Sequence, residues 1–549
     1  MTNGFAAPAI AFTFSAVLVL LLLGVVLAAR RTQNSPSEFY VAGRSVGTGQ
    51  NALALFAGFI LFSTLFTMTG HVSLNGLDAF LFSAAFAMSW LIALLIFASP
   101  LRNVGGQTIG DVFALRVGER TARTASIVVT LLLFTTYTIA MMEAGGITAR
   151  VLFGVDSNAG RAAMVAGMGV LAILFVFMGG MRGTTRVLVV KAVLIIGILA
   201  VLTVVVLMKY RFNLSQLLGD AQARMAPHPA GFDLLGPGRE FGEGPGPLGH
   251  VSKLFVAFVG HAALPYMFIR HFTVSSGREA RRSTGWAGMM IVAFYLCVAV
   301  LGFGAVALLG GQNIGAAPPT RDTTLPILAN SIGGPWLVGL VGATALVVVV
   351  GMLAALLISA VTSLTRDVRA LRQERPDPAE ELRAARVNTV MLGVAAIVVG
   401  TVLLQANIHA LLPMTISFAG ASILPAMVYT LFWKRFNTAG LRWSVYGGIV
   451  VTAILAMFSG LVTGSPIAIF PNINIAFVTF DPALASVPIT FLLGYLGTIS
   501  SRERNDAGFA ELQVRALTGA DASGTQERSA VPGRGDTPAR AGRTPSEAP

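Results

Sequence analysis

Long apolar stretches recur along almost the whole of this 549-residue sequence, and they constrain its fold more than any motif does. Hydrophobic residues make up 55% of the chain and charged residues only 11%, whereas a soluble domain carries roughly 25% charged residues. A membrane-crossing helix needs roughly 20 mostly apolar residues, and about thirteen stretches qualify. They lie near residues 8–29, 51–70, 78–100, 124–148, 160–181, 187–208, 252–271, 284–309, 335–362, 387–406, 410–433, 443–463 and 482–500. The sequence therefore predicts an all-α polytopic membrane protein with about 13 transmembrane helices.

The distribution of basic residues predicts how these helices are oriented. Cytoplasmic loops retain lysine and arginine, and with the N-terminus outside, the inner loops hold 22 basic residues and the outer loops 7. The reversed topology inverts this ratio and is rejected. No basic residue precedes the first stretch, and Arg30 and Arg31 follow it, which is typical of an anchor rather than a cleaved signal peptide. An odd number of helices then places the C-terminus inside.

The remaining composition excludes several function classes. The net charge of +13 does not indicate a nucleic-acid partner, because the basic residues are scattered between apolar runs. The single cysteine, Cys297, cannot form a disulfide framework or a cysteine metal cluster. No histidine, aspartate or glutamate cluster has catalytic or metal-ligand spacing, and no phosphate-binding loop is present. The sequence thus predicts neither an enzyme nor a bound cofactor.

Two segments differ from the apolar remainder. Residues 211–250 are rich in proline and glycine and are predicted to form an outer loop. Residues 501–549 are polar and cannot bury enough apolar surface to fold alone. The prediction is a transmembrane domain over residues 1–500 and a disordered cytoplasmic tail over residues 501–549.

Two of the predicted spans contain helix-breaking residues. The second span has a weak point at Ala57 and Gly58, and the seventh contains Gly260 and Pro265. Secondary transporters bind substrate where helices at matching positions of two halves are interrupted. The two spans lie five apart, as the first helices of two inverted five-helix units would. Ordinary kinks or close packing are the alternative, since glycine and proline are common in transmembrane helices.

Several strings, in order over most of the chain, resemble the sodium:solute symporter family, most closely its acetate (short-chain monocarboxylate) permease branch. The resemblance implies a leucine-transporter-type 5+5 inverted repeat, with units at about 51–208 and 252–433. It also implies alternating access around a site between broken spans 2 and 7 and the neighbouring spans 4, 9 and 11. The matching strings are EFYVAGRSVGTGQNALA (38–54), GLDAFLFS (76–83), LRNVGGQTIGDVFALR (101–116), GGMRGTTRVLVVKAVLI (179–195) and LPYMFIRHFTVSSGREARRS (264–283).

The resemblance also implies where a coupling ion would bind, and this sequence departs from the family there. The acetate branch usually carries an Asp and, three residues on, a Ser at the break of the second span, where this chain has Gly58 and Leu61. Sodium-coupled relatives carry two hydroxyl residues on the ninth span, fifteen and sixteen positions before an Asp that matches Asp367. Those positions hold Gly351 and Met352, a departure that acetate-branch members tend to share. The remaining ion-coupling candidates, whose hydroxyls can equally bond their own helix backbone, are Ser63, Thr64, Ser359, Thr362 and Thr365.

Two ionisable groups occupy positions that the branch usually leaves uncharged. Glu143 lies inside the fourth span, and His261 lies at the break of the seventh. Because a charged group inside a membrane must face a cavity or a partner, a Glu143–His261 pair that exchanges a proton is one hypothesis, with H+ rather than Na+ as the coupling cation. The alternative places Glu143 near the outer end of its span, solvated or paired with Arg150.

The substrate site is expected at the two breaks. No Lys or Arg lies mid-span beside either break, so helix amides and hydroxyls are the predicted ligands of a carboxylate. Tyr266 replaces the usual family histidine and can donate a hydrogen bond, or it can simply pack. Arg270, at the inner end of the seventh span, is assigned with Asp367 to gating or topology, while Asp78 and Asp111 are interpreted as structural. The substrate-binding candidates are Gly58, Phe59, His261, Pro265 and Tyr266.

Together these observations predict a secondary active symporter of a small organic solute, such as acetate, propionate or pyruvate, in a bacterial plasma membrane. Its partners are the solute, the coupling cation (Na+ or H+) and the lipid bilayer, and its oligomeric state is left open. The alternative is a non-transporting sensor or accessory protein on the same fold, with a degenerate ion site. The missing oxygens favour the alternative, and the broken-helix motifs favour the transporter.

Overall fold

The computed structural model describes residues 8–30, 35–225, 233–241, 246–315, 320–373, 377–405, 410–464, 468–470 and 472–520, which are nearly all helical. The helices used below are α1 (Pro8–Arg30), α2 (Thr48–Phe59), α3 (Phe62–Asn75), α4 (Leu77–Val104), α5 (Ile109–Ala114), α6 (Glu119–Phe153), α7 (Asn158–Lys209), α8 (Leu214–Arg224), α9 (Gly246–Gly260), α10 (Pro265–His271), α11 (Gly277–Leu309), α12 (Thr320–Leu371), α13 (Pro378–Val402), α14 (Leu411–Phe432), α15 (Thr438–Met457), α16 (Ala483–Ser500) and α17 (Asp506–Thr518).

Both predicted broken spans are bent. The pair α2 and α3 is bent by 59°, and the pair formed by α9 with its following turn and α10 is bent by 45°. The first break lies two residues beyond the predicted Ala57–Gly58 weak point, because Gly58 stays helical and the chain becomes extended at Ile60 and Leu61. The second break lies at Leu264, which is extended before Pro265, as proline requires of the residue that precedes it.

The predicted fifth and sixth spans both lie within α7. This helix has 52 residues, which would extend about 78 Å if it were straight, more than twice the roughly 30 Å of a bilayer core. Gly180, with φ of 47°, interrupts it. A Cβ on Gly183 would lie 3.5 Å from the carbonyl oxygen of Phe175, although eight residues rise about 12 Å along a straight helix. The chain therefore folds back near Gly180 and supplies two antiparallel arms.

The helix α12 forms the centre of the bundle. Its most apolar 18 residues are all buried inside the protein, and α1, α3, α6 and α7 pack around it. Gly334, with φ of 62°, separates a short outer part from the long inner part that contains the predicted ninth span. Within the described residues, ten helices are long and apolar enough to cross a membrane, or up to twelve when each bent pair counts as one span. The total of about thirteen crossings, on the 20-residue rule, and the orientation of the termini stay predictions, and the inner and outer sides of the protein are those of this predicted orientation.

The expected disorder of residues 501–549 is wrong for the first part of that tail. Residues 506–518 form α17, whose N-terminus is capped by the Asn505 side chain. Leu512 and Ala516 are buried, four positions apart on one face, and the helix packs against the inner end of α4. Leu512 and Ala516 supply buried apolar surface that the polar composition of residues 501–549 does not indicate. Residues 521–549 lie outside the described residues.

Candidate functional site

The two helix breaks lie against each other in the protein interior. The Tyr266 hydroxyl donates to the carbonyl oxygen of Gly58 over 3.4 Å. The Met267 sulfur lies 3.7 Å from the position that a Cβ on Gly58 would occupy. The structure thus brings together Gly58, Pro265 and Tyr266, which the sequence assigned to one substrate site from positions more than 200 residues apart.

Aromatic rings enclose His261 beside these breaks. The His261 ring lies 5.1 Å from the ring of Phe59 and 4.7 Å from that of Phe86, measured between centroids. Trp90 and Tyr295 pack against Phe59 at 5.7 and 6.2 Å. We call these five residues the aromatic cluster. His261 is buried, and its Nδ1 atom has no hydrogen-bond partner among the described residues.

A further tyrosine reaches the break from α6. The rings of Tyr137 and Tyr266 lie 5.8 Å apart in an edge-to-face arrangement. A cavity of about 10 Å³, which is room for about one water molecule, lies on the inner side of the break. Ser359, a predicted ion-coupling residue, lines it. The lining residues are Gln107, Thr108, Ile109, Thr130, Pro265, Ile269, Phe272, Ser359 and Ser363.

Close backbone packing holds the seventh span against α14. A Cβ on Gly260 would lie 2.2 Å from Cγ2 of Ile416 and 2.5 Å from its carbonyl oxygen. On the opposite side of this contact, a Cβ on Gly420 would lie 3.2 Å from the Cα atom of Gly260. Only glycine allows this approach, which fixes the helix immediately before His261.

The two hydroxyl candidates on α3 differ in their contacts. The Thr64 hydroxyl accepts a hydrogen bond from the backbone N–H of Leu61 over 3.2 Å and so caps the new helix after the break. Ser63 is half-buried at the start of the same helix. The Thr64 hydroxyl therefore bonds the backbone at the start of its own helix, which is the alternative to ion binding that the sequence left open. Ser63 stays an ion-coupling candidate.

The three candidates on α12 are not equivalent. The Thr362 hydroxyl donates to the carbonyl oxygen of Ile358 over 2.7 Å, within its own helix. Thr365 accepts a hydrogen bond from the Asn388 side chain over 2.9 Å, on the side of α13. Ser359 is the candidate that lines the small cavity at the break.

The hypothesised Glu143–His261 pair is not formed in this structure. Within the described residues, no hydrogen bond or ion pair joins the two side chains. The neighbours of Glu143 face elsewhere: Met142 packs against Gly400 of α13, and Gly146 lies beside Leu404. His261, in contrast, faces the aromatic cluster on α2 and α4. Glu143 itself is half-buried and does have an interaction within the protein.

A buried ionic network closes the inner end of the site. Arg123 of α6 donates to Asp367 of α12 over 2.9 Å and to Asp111 of α5 over 2.5 Å. Thr108 donates to the same Asp367 carboxylate over 2.9 Å. We call these groups, with the hydroxyls of Ser126 and Ser363 that donate to the other Asp367 oxygen at 2.7 and 2.8 Å, the inner network.

Asp111 is held ionised in the inner network. Burial alone would raise the pKa of its carboxyl group, but Arg366 and Arg123 nearby and the backbone N–H of Gln107 outweigh burial and lower the pKa below its usual value. Asp111 also accepts from the N–H of Thr108 and completes a capping box for α5. Asp111 thus links a helix cap to Arg123, which binds α12, and its structural role stays a prediction.

Arg270 ties the inner half of the seventh span to α7. Its Nη1 atom donates to the Thr185 hydroxyl over 2.6 Å, and the side chain is buried. This contact fits the predicted role in gating or topology better than a role in substrate contact.

A second buried network lies at the outer ends of both broken spans. Glu240, from the proline- and glycine-rich loop, contacts His71 and accepts from Asn75 over 2.9 Å on α3. Its other oxygen lies 3.3 Å from both His250 and Lys253 of α9. We call these five residues the outer network. Burial would raise the pKa of Glu240, but the hydrogen bonds with His250 and His71 and the charges of His71 and Lys253 hold it well below its usual value.

The backbone of the same loop is fixed to the start of α4. Asp78 accepts from the N–H groups of Gly238 and Glu240 at 2.9 to 3.1 Å. Arg239 donates to the carbonyl oxygen of Leu74 over 2.7 Å. The structural role predicted for Asp78 therefore has a geometric basis.

Sequence reasoning missed the outer network. Its members lie up to 182 positions apart, between His71 and Lys253, and each alone reads as an ordinary loop or helix-end residue. The available signal was the placement of histidine and glutamate at the outer ends of both broken spans. Within the described residues, no group of three or more His, Cys, Asp or Glu side chains could hold a metal ion.

Comparison with known proteins agrees with this architecture. Over residues 39–448, the chain matches the model of the sodium:solute symporter family. A monocarboxylic acid transporter of Corynebacterium glutamicum is 34% identical over 531 residues, covering 94% of this chain and 96% of that protein. An uncharacterized symporter, YwcA, of Bacillus subtilis is 32% identical over 519 residues, covering 92% and 97%.

Two solved structures share the fold. The first, a Na+-coupled sialic acid symporter in a substrate-bound outward-open state, matches with a TM-score of 0.69 at 14% identity, covering 90% of this chain and 99% of that one. The second, the nucleobase-cation-symport-1 transporter Mhp1 in a closed conformation, matches with a TM-score of 0.50 at 12% identity, covering 88% and 99%. The predicted leucine-transporter-type fold and the multi-pass plasma-membrane location are confirmed. The chain belongs to the sodium:solute symporter family.

Proposed function

We propose that the protein transports a short-chain monocarboxylate, such as acetate, propionate or pyruvate, together with a cation. Membership of a cation-coupled symporter family supports the coarser part, and the relative described as a monocarboxylic acid transporter, at 34% identity over nearly the full chain, supports the substrate class. The observation that carries the proposal is the contact between Tyr266 and Gly58 at two broken spans.

The chemistry at the breaks suits a small carboxylate. The helix α3 begins directly at the first break, and a helix N-terminus attracts negative charge. Around it lie a tyrosine hydroxyl and an otherwise apolar, aromatic enclosure. Such a site is typical of a ligand with one anionic end and a short apolar body.

Alternating access follows from the two buried networks. The inner network joins α5, α6 and α12, and the outer network joins the loop at Glu240 to α3 and α9. We infer that each network closes one side of the breaks in turn. The inverted units, at about 51–208 and 252–433, supply the bent spans α2–α3 and α9–α10 that move between the two states.

Exchange across a membrane tests this function directly. The purified protein in vesicles is preloaded with unlabelled pyruvate and diluted into labelled pyruvate, acetate or propionate without any ion gradient. We expect entry of label above that of protein-free vesicles for these three acids and none for a dicarboxylate of similar size. Binding of the acids without any exchange would overturn transport and favour a non-transporting sensor. The sensor is the second candidate function because Gly58 and Leu61 lack the side-chain oxygens expected at the ion site.

A further inference from the structure

A single lysine lies buried in the middle of the membrane-spanning region. Lys191 of α7 is fully buried, and its Nζ atom has no hydrogen-bond partner among the described residues. It follows the fold-back at Gly180 by eleven residues, about 16 Å along the helix, which is near the middle of a bilayer core of roughly 30 Å. A charged group at that depth is expected to serve an ion pathway or a substrate.

The side chain of Lys191 lies directly against the central helix. Its Cδ atom is 3.3 Å from the position that a Cβ on Gly351 would occupy. Leu188 and Val187 complete the contact at 3.6 and 3.7 Å. The glycine makes room for the lysine, so the close fit between α7 and α12 includes the lysine side chain.

The facing part of α12 offers a cation no side-chain ligand. From Ala345 to Ile358, no residue of α12 carries an oxygen in its side chain, whereas hard cations are bound through oxygen atoms. At this level the protein carries a titratable group of its own, the amine of Lys191.

Among the described residues, no ionisable group is paired with Lys191. Asp367 lies sixteen residues beyond Gly351 on α12, about 24 Å along the helix. Arg270 is bound to Thr185, six residues before Lys191 on α7. Within the described residues, no hydrogen bond or ion pair joins Lys191 to the groups on the helices that pack around α7. The buried ones are Tyr40 in the segment Pro36–Val41, Arg123 and Tyr137 on α6, Tyr295 on α11, Asp322 and Asp367 on α12, and Arg270 on α10, which reaches α7 at Thr185. Glu143 on α6 is half-buried, and α2 carries no ionisable group.

We propose that Lys191 is the coupling-ion site of this transporter, and that the coupling ion is a proton. The amine binds a proton from the outer side, and the ammonium ion is present when the carboxylate binds. On the inner side, the ammonium releases the proton to water and becomes a neutral amine, which can remain buried without a partner. One proton thus moves inward with each monocarboxylate, and no redox partner is needed.

This inference rests on the proposed function, and two transport assays separate them. Counterflow of labelled pyruvate, without gradients, measures exchange by the loaded carrier. Net accumulation is then measured with the vesicle interior alkaline and choline in place of sodium. Pyruvate is preferred to acetate because it is the stronger acid and leaks less across the bilayer. Absence of counterflow would overturn the proposed function itself.

For the wild type, we expect accumulation of up to about tenfold per unit of pH difference, as one proton per substrate gives. Lys191→Arg keeps a charge that does not leave at any accessible pH, so counterflow should persist within about threefold while accumulation falls to the level of protein-free vesicles. Lys191→Gln should also lose pH-driven accumulation. The matched control is Lys209→Gln, at the exposed outer end of the same helix, which should behave as wild type.

Three results would overturn the assignment. The first is accumulation by the wild type that follows a sodium gradient and ignores the pH gradient. The second is pH-driven accumulation that survives in Lys191→Arg. The third is loss of counterflow in both Lys191 variants while each keeps the melting temperature of the wild type. Should the variants fail to fold, the sodium and pH arms on the wild-type protein still decide whether a proton is coupled.

Discussion

Arg123 of α6 and Asp367 of α12 form a buried ion pair at 2.9 Å, and the Asp367 carboxylate is fully enclosed. The pair joins two helices that lie far apart in the sequence. The Arg123 guanidinium also binds Asp111. Since a buried carboxylate is stable only when it is paired and hydrogen-bonded, the contact must be replaced or hydrated when the inner side opens. A substitution in the Arg123–Asp367 pair should therefore destabilise the state in which the inner side is closed.

Asp367→Asn should favour the inward-open state. The change removes the charge but keeps the size, and hydrogen bonds to charged groups contribute about 1.5–3 kcal/mol each. The probe is Ile269→Cys, which lines the inner cavity, in a Cys297→Ser background that removes the only native thiol. Alkylation from the cytoplasmic side should be at least about tenfold faster in Asp367→Asn, which corresponds to about 1.4 kcal/mol.

The control for this experiment is Asp377→Asn, an exposed carboxylate before α13. It should leave the alkylation rate unchanged. Equal rates in Asp367→Asn and in the control would show that the inner network does not hold the closed state.

The existence of the broken spans could be predicted from the sequence, but their breakpoints and partners could not. Glycine and proline disfavour helix locally, so a break near Gly58 and at Pro265 follows from the residues alone. The first break nevertheless falls at Ile60 and Leu61, where the Thr64 hydroxyl captures the freed N–H. That choice depends on tertiary packing, which a one-dimensional pattern does not contain.

The ion pairs show the same limit more clearly. Glu143 and His261 are both titratable and lie in predicted spans, yet depth along a helix does not determine the face that a side chain presents. The structure assigns His261 to the aromatic cluster and brings Glu240 to His71 and His250 instead. Lys191 is the only charged residue in its predicted span, but the sequence does not show that its side chain lies against Gly351, 160 positions away.

Glu240→Gln should loosen the outer loop at neutral pH, whereas mild acidification should not. The pKa of Glu240 lies well below its usual value, so its stabilising contribution is present above the unfolded value near 4.3 and is lost only as the pH falls through the lower folded value. Tryptic cleavage after Arg239, followed by mass spectrometry on protein in detergent, should be slow and constant for the wild type from pH 8 to about 6. The variant should be cleaved at least about fivefold faster, because one charged partner of a buried network is gone.

Asp233→Asn is the matched control for Glu240→Gln, since Asp233 is an exposed carboxylate on the same loop. Its cleavage rate should equal that of the wild type. A wild-type rate that rises steadily between pH 8 and about 6 would contradict a Glu240 carboxylate held ionised in the fold.

Tyr266→Phe separates substrate contact from packing. The ring contact with Tyr137 is kept, whereas the hydroxyl that reaches the Gly58 carbonyl is removed. A neutral hydrogen bond contributes about 0.5–1.5 kcal/mol, so the KM for pyruvate should rise about threefold to tenfold with little change in melting temperature. Tyr429→Phe, which loses a 2.9 Å hydrogen bond to the Phe491 carbonyl outside the site, should leave KM unchanged. An unchanged KM in Tyr266→Phe would assign Tyr266 to packing alone.

Gly260→Ala should destabilise the protein. The added methyl group would lie 2.5 Å from the backbone carbonyl oxygen of Ile416, and overpacking of a well-packed core costs about 1–3 kcal/mol. The melting temperature in detergent should fall by several degrees. Gly197→Ala, in a helix and with open space around the site, should be neutral or slightly stabilising. Equal melting temperatures for the two variants would show that α9 and α14 can separate at no cost.

The final prediction concerns α17, which caps a buried arginine. Arg116 donates to the carbonyl oxygens of Asn505, Lys434, Phe436 and Trp433 at 2.6, 2.7, 2.9 and 3.3 Å, and its guanidinium lies over the Phe509 ring. Truncation after Ala520 leaves all of these contacts, so the melting temperature and counterflow should match those of the full chain. Truncation after Arg504 removes both Asn505 and Phe509, so Arg116 loses one hydrogen-bond acceptor and the ring that covers its guanidinium. The melting temperature should fall by several degrees, because an unsatisfied buried charged group costs about 1–3 kcal/mol or more. If both truncations melt at the temperature of the full chain, the docked helix contributes nothing to stability and Arg116 is satisfied by the remaining three carbonyl groups.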